Sequence, residues 1–183
     1  MGKRNHQTAE GKELPQHKKG DANSEESLQK VCSLIVETSN GKVLIQAGFS
    51  NRFQLNVLKP FSHKESSTLS DEEVIKKTLH KFMGFEYDTK NIKIFTAFEL
   101  PDKNGKNLHF IPCYLKLQNP IGEITGNFCS IDFATLVSKN TKKPITIKGR
   151  KEDFFATEAL IETMRLIAIS RPNYNSKPKY TSK

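Results

Sequence analysis

The chain has 183 residues, a formal net charge of +9 at pH 7 and a hydrophobic share of 36%. That length fits one domain with tails, and no apolar run is long enough for a transmembrane helix or a signal-peptide core. The basic excess favours polyanionic partners such as nucleic acid, with a solubilising surface as the equal alternative.

Residues 1–26 offer Leu14 and little else to bury, so they read as a disordered basic tail. Residues 171–183 contain Arg171, Lys177, Lys179 and Lys183, no acid and no aliphatic residue, and read the same way. The domain is therefore expected over 27–170, large enough to build a sizeable core.

Within it, Val31 to Val36 and Lys42 to Gln46 read as strands around the hairpin signal Ser39-Asn40-Gly41. Phe53 to Leu58 alternates, which puts Phe53, Leu55 and Val57 on one face of a third strand. Ser70-Asp71-Glu72-Glu73 is a capping box, followed by Ile75, Leu79, Phe82 and Met83 at helical spacing and stopped by Gly84. Ile92 to Leu100 and Leu108 to Leu117 form a second hairpin about the polar turn 101–106. Phe128 to Phe133 is a short strand, and Phe133 to Val137 begins a helical turn. Phe154 to Ile169 reads as a second long amphipathic helix with Asp153 as its cap. The order predicts an α+β fold, an α/β/α sandwich with a mixed sheet between helices 70–83 and 153–169.

Cys32, Cys113 and Cys129 are widely spaced in apolar surroundings, and His63, His80 and His109 show no zinc-ligand spacing. Three buried thiols fit a reducing compartment, cytoplasm or nucleus.

The segment Phe53-Gln54-Leu55-Asn56-Val57-Leu58-Lys59, with the helix ending at Met83-Gly84-Phe85, resembles the centre of a Nudix (MutT-like) domain. That family pairs a strand reading roughly W-E-L-P-G-G-K with a helix reading R-E-U-x-E-E-x-G-U, U being a bulky aliphatic. The element order from about Val31 to Ser170 is similar to the family's along nearly the whole core. The resemblance implies the family's fold, but the box is degenerate. Aligned on Gly84, the family's Arg falls on Lys77, its first Glu on Thr78, and its two metal-binding glutamates on Lys81 and Phe82. Asn56 replaces the usual Pro, and Val57 and Leu58 replace the paired glycines. The loop before the helix is also longer. The family's chemistry needs several carboxylates on that helix to hold divalent cations; Lys81 and Phe82 cannot supply them. Asp71, Glu72 and Glu73 complete the cap and complement the helix end. Glu65, in the long loop, could swing inward, and Glu158 and Glu162 read as a solvated face, with Arg165 available to Glu162.

These residues imply no catalytic group, no metal and no cofactor. The expected function is a non-catalytic Nudix-like binding or assembly domain contacting RNA or a ribonucleoprotein, with a protein partner and no membrane. The alternative is a metal-dependent nucleotide or capped-RNA pyrophosphohydrolase with an unconventional metal site. A bacterial factor that binds a host protein is a third class. Lys77 and Lys81 share a helix face and could hold a phosphate with Arg52 and Lys59, or simply point into water while Phe82 fills the pocket. Phe49 could stack on a base or lie in the core. Lys142, Lys143, Lys148, Arg150 and Lys151, beside Lys139, are the candidate nucleic-acid contacts.

Overall fold

The apolar run beginning near Val31 forms β1 (Gln29–Glu37), and its alternation organises the molecule. Cys32, Leu34 and Val36 belong to one buried cluster and Ile35 to another. Successive strand side chains point to opposite faces, so β1 is buried on both and needs cover on each. The computed structural model describes residues 28–84, 91–118, 127–138 and 143–171. Both proposed tails, apart from Arg171, and Phe85, Lys139 and Lys142 lie outside them.

β1 meets β2 (Lys42–Ser50) antiparallel at the hairpin, with Val36 opposite Leu44 and Glu37 opposite Val43. Gly41 closes that turn at φ 79, a conformation that favours glycine. The strands then diverge. β3 (Leu55–Lys59) runs beside β2, and β4 (Phe61–Glu65) runs beside β1. Pro60 stands between them, where the chain passes from one ladder to the next and a missing N–H costs least. α1 (Asp71–Met83) follows. β5 (Ile92–Ile94) and β6 (Phe98–Pro101) both pair with β7 (Asn107–Lys116), which runs parallel to the whole of β1. β8 (Phe128–Asp132) pairs with β2 and leads into the short α2 (Phe133–Ser138). β9 (Ile145–Thr146), β10 (Asp153–Ala156) and α3 (Glu158–Ile169) complete the chain. The strand order is β5-β7-β1-β2-β3-β10-β9, with β4, β6 and β8 beside β1, β7 and β2.

α1 packs on β1 and β4 through Val74, Ile75, Leu79, Phe82 and Met83. α3 covers the opposite face through Leu160, Met164 and Ile167. A buried hydrogen bond of 2.7 Å between the hydroxyls of Ser33 and Thr163 ties β1 to α3 across that second core. The mixed sheet between two principal helices is the α+β sandwich anticipated from the sequence.

Several boundaries differ. The second long helix begins at Glu158 with Thr157 as its cap, not at Asp153. Asp153 to Ala156 are drawn into the sheet, where Phe155 and Ala156 pair with Val57 and Leu58 and Phe154 is buried. Phe53 lies in the turn before β3 and is 61% exposed, and Gln54 there takes φ 52. The fully buried residue of β3 is Leu58, because α3 covers the face opposite to that of Leu55 and Val57. The long loop before α1 is largely the strand β4. Ile92 to Leu100 breaks into two strands. Phe49 is 56% exposed, not core.

The capping box forms as written: Glu73 N–H donates to Ser70 Oγ, and Ser70 N–H donates to the Glu73 carboxylate at 2.8 Å. Those Ser70 bonds hold the Glu73 carboxyl below its ordinary range. Ser70→Ala is expected to lower unfolding stability by about 1 kcal/mol, measured by urea denaturation. A depressed carboxyl stabilises the fold above its unfolded pKa, and that contribution fades as pH falls through the folded value. The wild-type advantage over the variant should therefore shrink on acidification.

Candidate functional site

α1 presents Lys77, Thr78, Lys81 and Phe82 to its surroundings in four different ways. Thr78 is buried and donates to the carbonyl of Val74 at 2.8 Å. Phe82 is buried with its ring 5.2 Å from that of Phe61. Lys77 donates to Glu65 at 3.0 Å, and Lys81 donates to His63 Nδ1 at 3.1 Å. His63 and Glu65 reach α1 because they alternate with Phe61 on β4, opposite Cys32 and Lys30 on the α1 face. His63 Nε2 lies 2.8 Å from Glu65, so a ring that accepts from Lys81 donates to the carboxylate. The Lys77 hydrogen bond is the largest influence on Glu65 and holds its carboxyl below the usual range. Glu65 thus does turn inward, but onto an ammonium. Lys30 and Asp71, at 2.6 Å, close the end of the same interface.

The proposed phosphate set is therefore divided. Lys77 and Lys81 clamp α1 to β4. Lys59 is exposed on β3, and Arg52 lies over the ring of Phe53 at 5.0 Å in the β2–β3 turn. Among the described residues, no three His, Cys, Asp or Glu side chains gather where they could hold a metal ion. Glu162 accepts from Arg165 at 2.8 Å, as its spacing suggested.

A different surface emerges from the register. Val36 and Leu44 face α1, so Gln46, Gly48 and Ser50 continue that face along β2. Their partners Lys59, Val57 and Leu55 share it, as do Phe128 opposite Gln46 and Phe155 opposite Val57. Among the described residues, α1 sits over β1 and β4 and leaves this part of the sheet open. Lys59, Leu55 and Phe128 are exposed, Val57 and Phe155 half-buried, and a Cβ built on Gly48 would meet nothing within 4 Å. The result is a shallow apolar and aromatic platform with a cation on it.

The basic cluster lies at the β9 end of the same sheet. Lys148, Arg150 and Lys151 lie in the β9–β10 turn, where Gly149 takes φ 85. Arg150 donates to the side chain of Asn127, the residue before Phe128, at 3.0 Å and lies 5.6 Å from the Phe154 ring centre, which puts it on the α3 side of the sheet, opposite Phe128 and Phe155. Lys148, Lys151 and Lys143 are exposed. Lys142 is outside the described residues. The sequence signalled the cations, but the platform depends on which strands α1 leaves uncovered.

All three thiols are buried and free. Burial pushes Cys129 up to about 11, and the Cys113 thiol's hydrogen bond to Cys32, followed by burial, holds Cys113 well above the ordinary thiol range. Neither is a thiolate nucleophile near neutral pH. Among the described residues, no helix is long and apolar enough to cross a membrane.

No protein-family profile matches this sequence, and no curated protein matches it. Solved structures do. The E. coli ORF135 protein aligns with a TM-score of 0.55 at 11% identity, covering 82% of this chain and 96% of that one. The C-terminal domain of mouse MUTYH, determined in complex with human PCNA, aligns with a TM-score of 0.51 at 14% identity, covering 79% and 90%. A NUDIX-family hydrolase from Clostridium perfringens superposes more loosely, with a TM-score of 0.46 at 8% identity over 75% and 97%. The α+β sandwich is the fold shared with the first two of these. Identities this low speak to fold alone.

Proposed function

We propose that this chain is a non-catalytic Nudix-like domain that binds single-stranded RNA, alone or within a ribonucleoprotein, in a reducing compartment. The observation that carries the reading is the open sheet face, where Phe128, Leu55, Val57 and Lys59 lie together, with the exposed Lys148 and Lys151 on the β9–β10 turn at the end of the same sheet. Aromatic and apolar side chains offer unstacked bases a flat partner, and adjacent cations take the phosphates. Gly48 lets a planar ring approach the backbone.

The absence of catalysis is supported by α1. The positions where the family's helix carries its glutamates hold a buried threonine, a buried phenylalanine and a lysine directed to His63. Glu65, which β4 brings to that helix, already accepts from Lys77.

The test is a fluorescence titration with a labelled single-stranded RNA at low and moderate salt, alongside turnover assays of nucleotides and capped RNA with magnesium or manganese. Phe128→Ala should weaken RNA binding by about 1–3 kcal/mol. Changing Lys148 and Lys151 to Ala should flatten the salt dependence by roughly one unit of slope for each phosphate no longer neutralised. Wild-type protein should show no metal-dependent turnover. Turnover abolished by changing Glu72 and Glu73 would establish the hydrolase alternative, and absence of binding at low salt would remove the RNA reading.

A further inference from the structure

A second concave site lies on the other face of the sheet, near the β5 edge and the C-terminal end of α3. It is a cavity of about 460 Å3 lined by Glu37, Lys93, Tyr114, Lys116, Ile167 and Arg171 together with Ser170. The cations come from three separate places in the chain: β5, the end of β7, and the residue that follows Ser170. Each is oriented by a neighbour. Lys93 lies over the Phe95 ring at 5.3 Å, and Lys116 stands 3.7 Å from Glu37. Arg171 is held most firmly. Its guanidinium lies 3.5 Å from the Phe133 ring centre and donates to Glu37 and, at 3.2 Å, to Tyr114 Oη.

Both Arg171 hydrogen bonds among the described residues leave from Nη2, so Nη1 and Nε keep donors for another group. Glu37 balances one of the three positive charges, and the lining keeps a net charge of two. An uncompensated pair of positive charges in a concave site draws in an anion, and a planar guanidinium with lysines beside it matches the tetrahedral oxygens of phosphate. Arg171 is held before any ligand arrives, which lowers the ordering cost of binding.

We propose that this cavity binds a phosphate group, presented by a nucleotide or by a small phosphoester, through Lys93, Lys116 and Arg171. It lies on the α3 face, away from the platform of Phe128 and Lys59, and takes a discrete phosphate instead of a strand.

Isothermal titration of the full chain at low salt tests it, with pyrophosphate and ADP as probes. Lys93→Ala with Lys116→Ala leaves the Arg171–Glu37 contact intact, and matching urea midpoints would show that the variant is folded. Wild type should bind at least one probe saturably at one site, and the double variant should bind about tenfold or more weakly, as expected when charge-assisted bonds are removed. Lys59→Ala should leave the affinity unchanged. Tighter binding of ADP than of pyrophosphate would assign a nucleotide; equal binding would assign the phosphate alone. No saturable binding of either probe, equal affinity in the double variant, or loss on Lys59→Ala overturns the proposal.

Discussion

Replacing Phe61 with alanine is expected to reduce unfolding stability by about 3–5 kcal/mol. Phe61 is fully buried, lies opposite Leu34 in the β1–β4 ladder and holds its ring against Phe82 of α1. It therefore connects β1, β4 and α1 at the point where β1 and β2 have separated. Removing the ring leaves a cavity bounded by strands that cannot close without disturbing the register of both ladders. Urea denaturation followed by circular dichroism measures the loss. Phe49→Ala is the matching control: the side chain is exposed, and the change should cost less than about 1 kcal/mol. Equal losses in the two variants would show that the α1 core does not depend on the β4 contact.

The second large effect is expected at Arg171. Glu37 is 4% exposed at the end of β1 and accepts from Tyr114 at 2.9 Å as well as from Arg171. Arg171→Ala leaves that carboxylate with Tyr114 and the more distant Lys116. The expected loss is about 2 kcal/mol, below that of a fully buried pair because the arginine side chain is one-third exposed. Cutting the chain after Ser170 should reproduce it. The same centre predicts alkaline sensitivity. Burial, then the bond to Glu37, raises the Tyr114 phenol well above its ordinary value. A raised phenol keeps its proton in the folded state after the unfolded chain has lost it. Its contribution is thus complete below the unfolded tyrosine pKa and is lost as pH rises from there through the folded value. Tyr114→Phe should remove that alkaline dependence.

Some elements were legible because local chemistry suffices to specify them. Ser70, Glu73 and Gly84 bracket α1 whatever lies beyond it, since caps and left-handed glycines act within one turn. The β1–β2 hairpin follows from its turn and its flanking β-branched residues. Arg171 is illegible in the sequence for the converse reason. By composition it belongs with a polar tail, but its partners Glu37, Tyr114 and Phe133 are distant in the chain and converge only in the fold. The start of α3 at Glu158 is hidden in the same way. Phe154 and Phe155 continue a helical apolar pattern, and only the available edge of β3 makes them a strand.

The sequence by itself determined the α+β order, the caps of α1 and the residue types Lys77, Thr78, Lys81 and Phe82 along α1, because each depends on residue type at short spacing. Only the tertiary structure decided where the charges point. Lys77 and Lys81 share a helix face with or without a fold, but pairing with β1 turns Glu65 and His63 toward them and directs both lysines to β4. Phe128, Lys59 and Gly48 become one surface only through the register of β8, β2 and β3. Periodicity reports which side of its own strand a residue takes; which side remains uncovered depends on where α1 comes to rest.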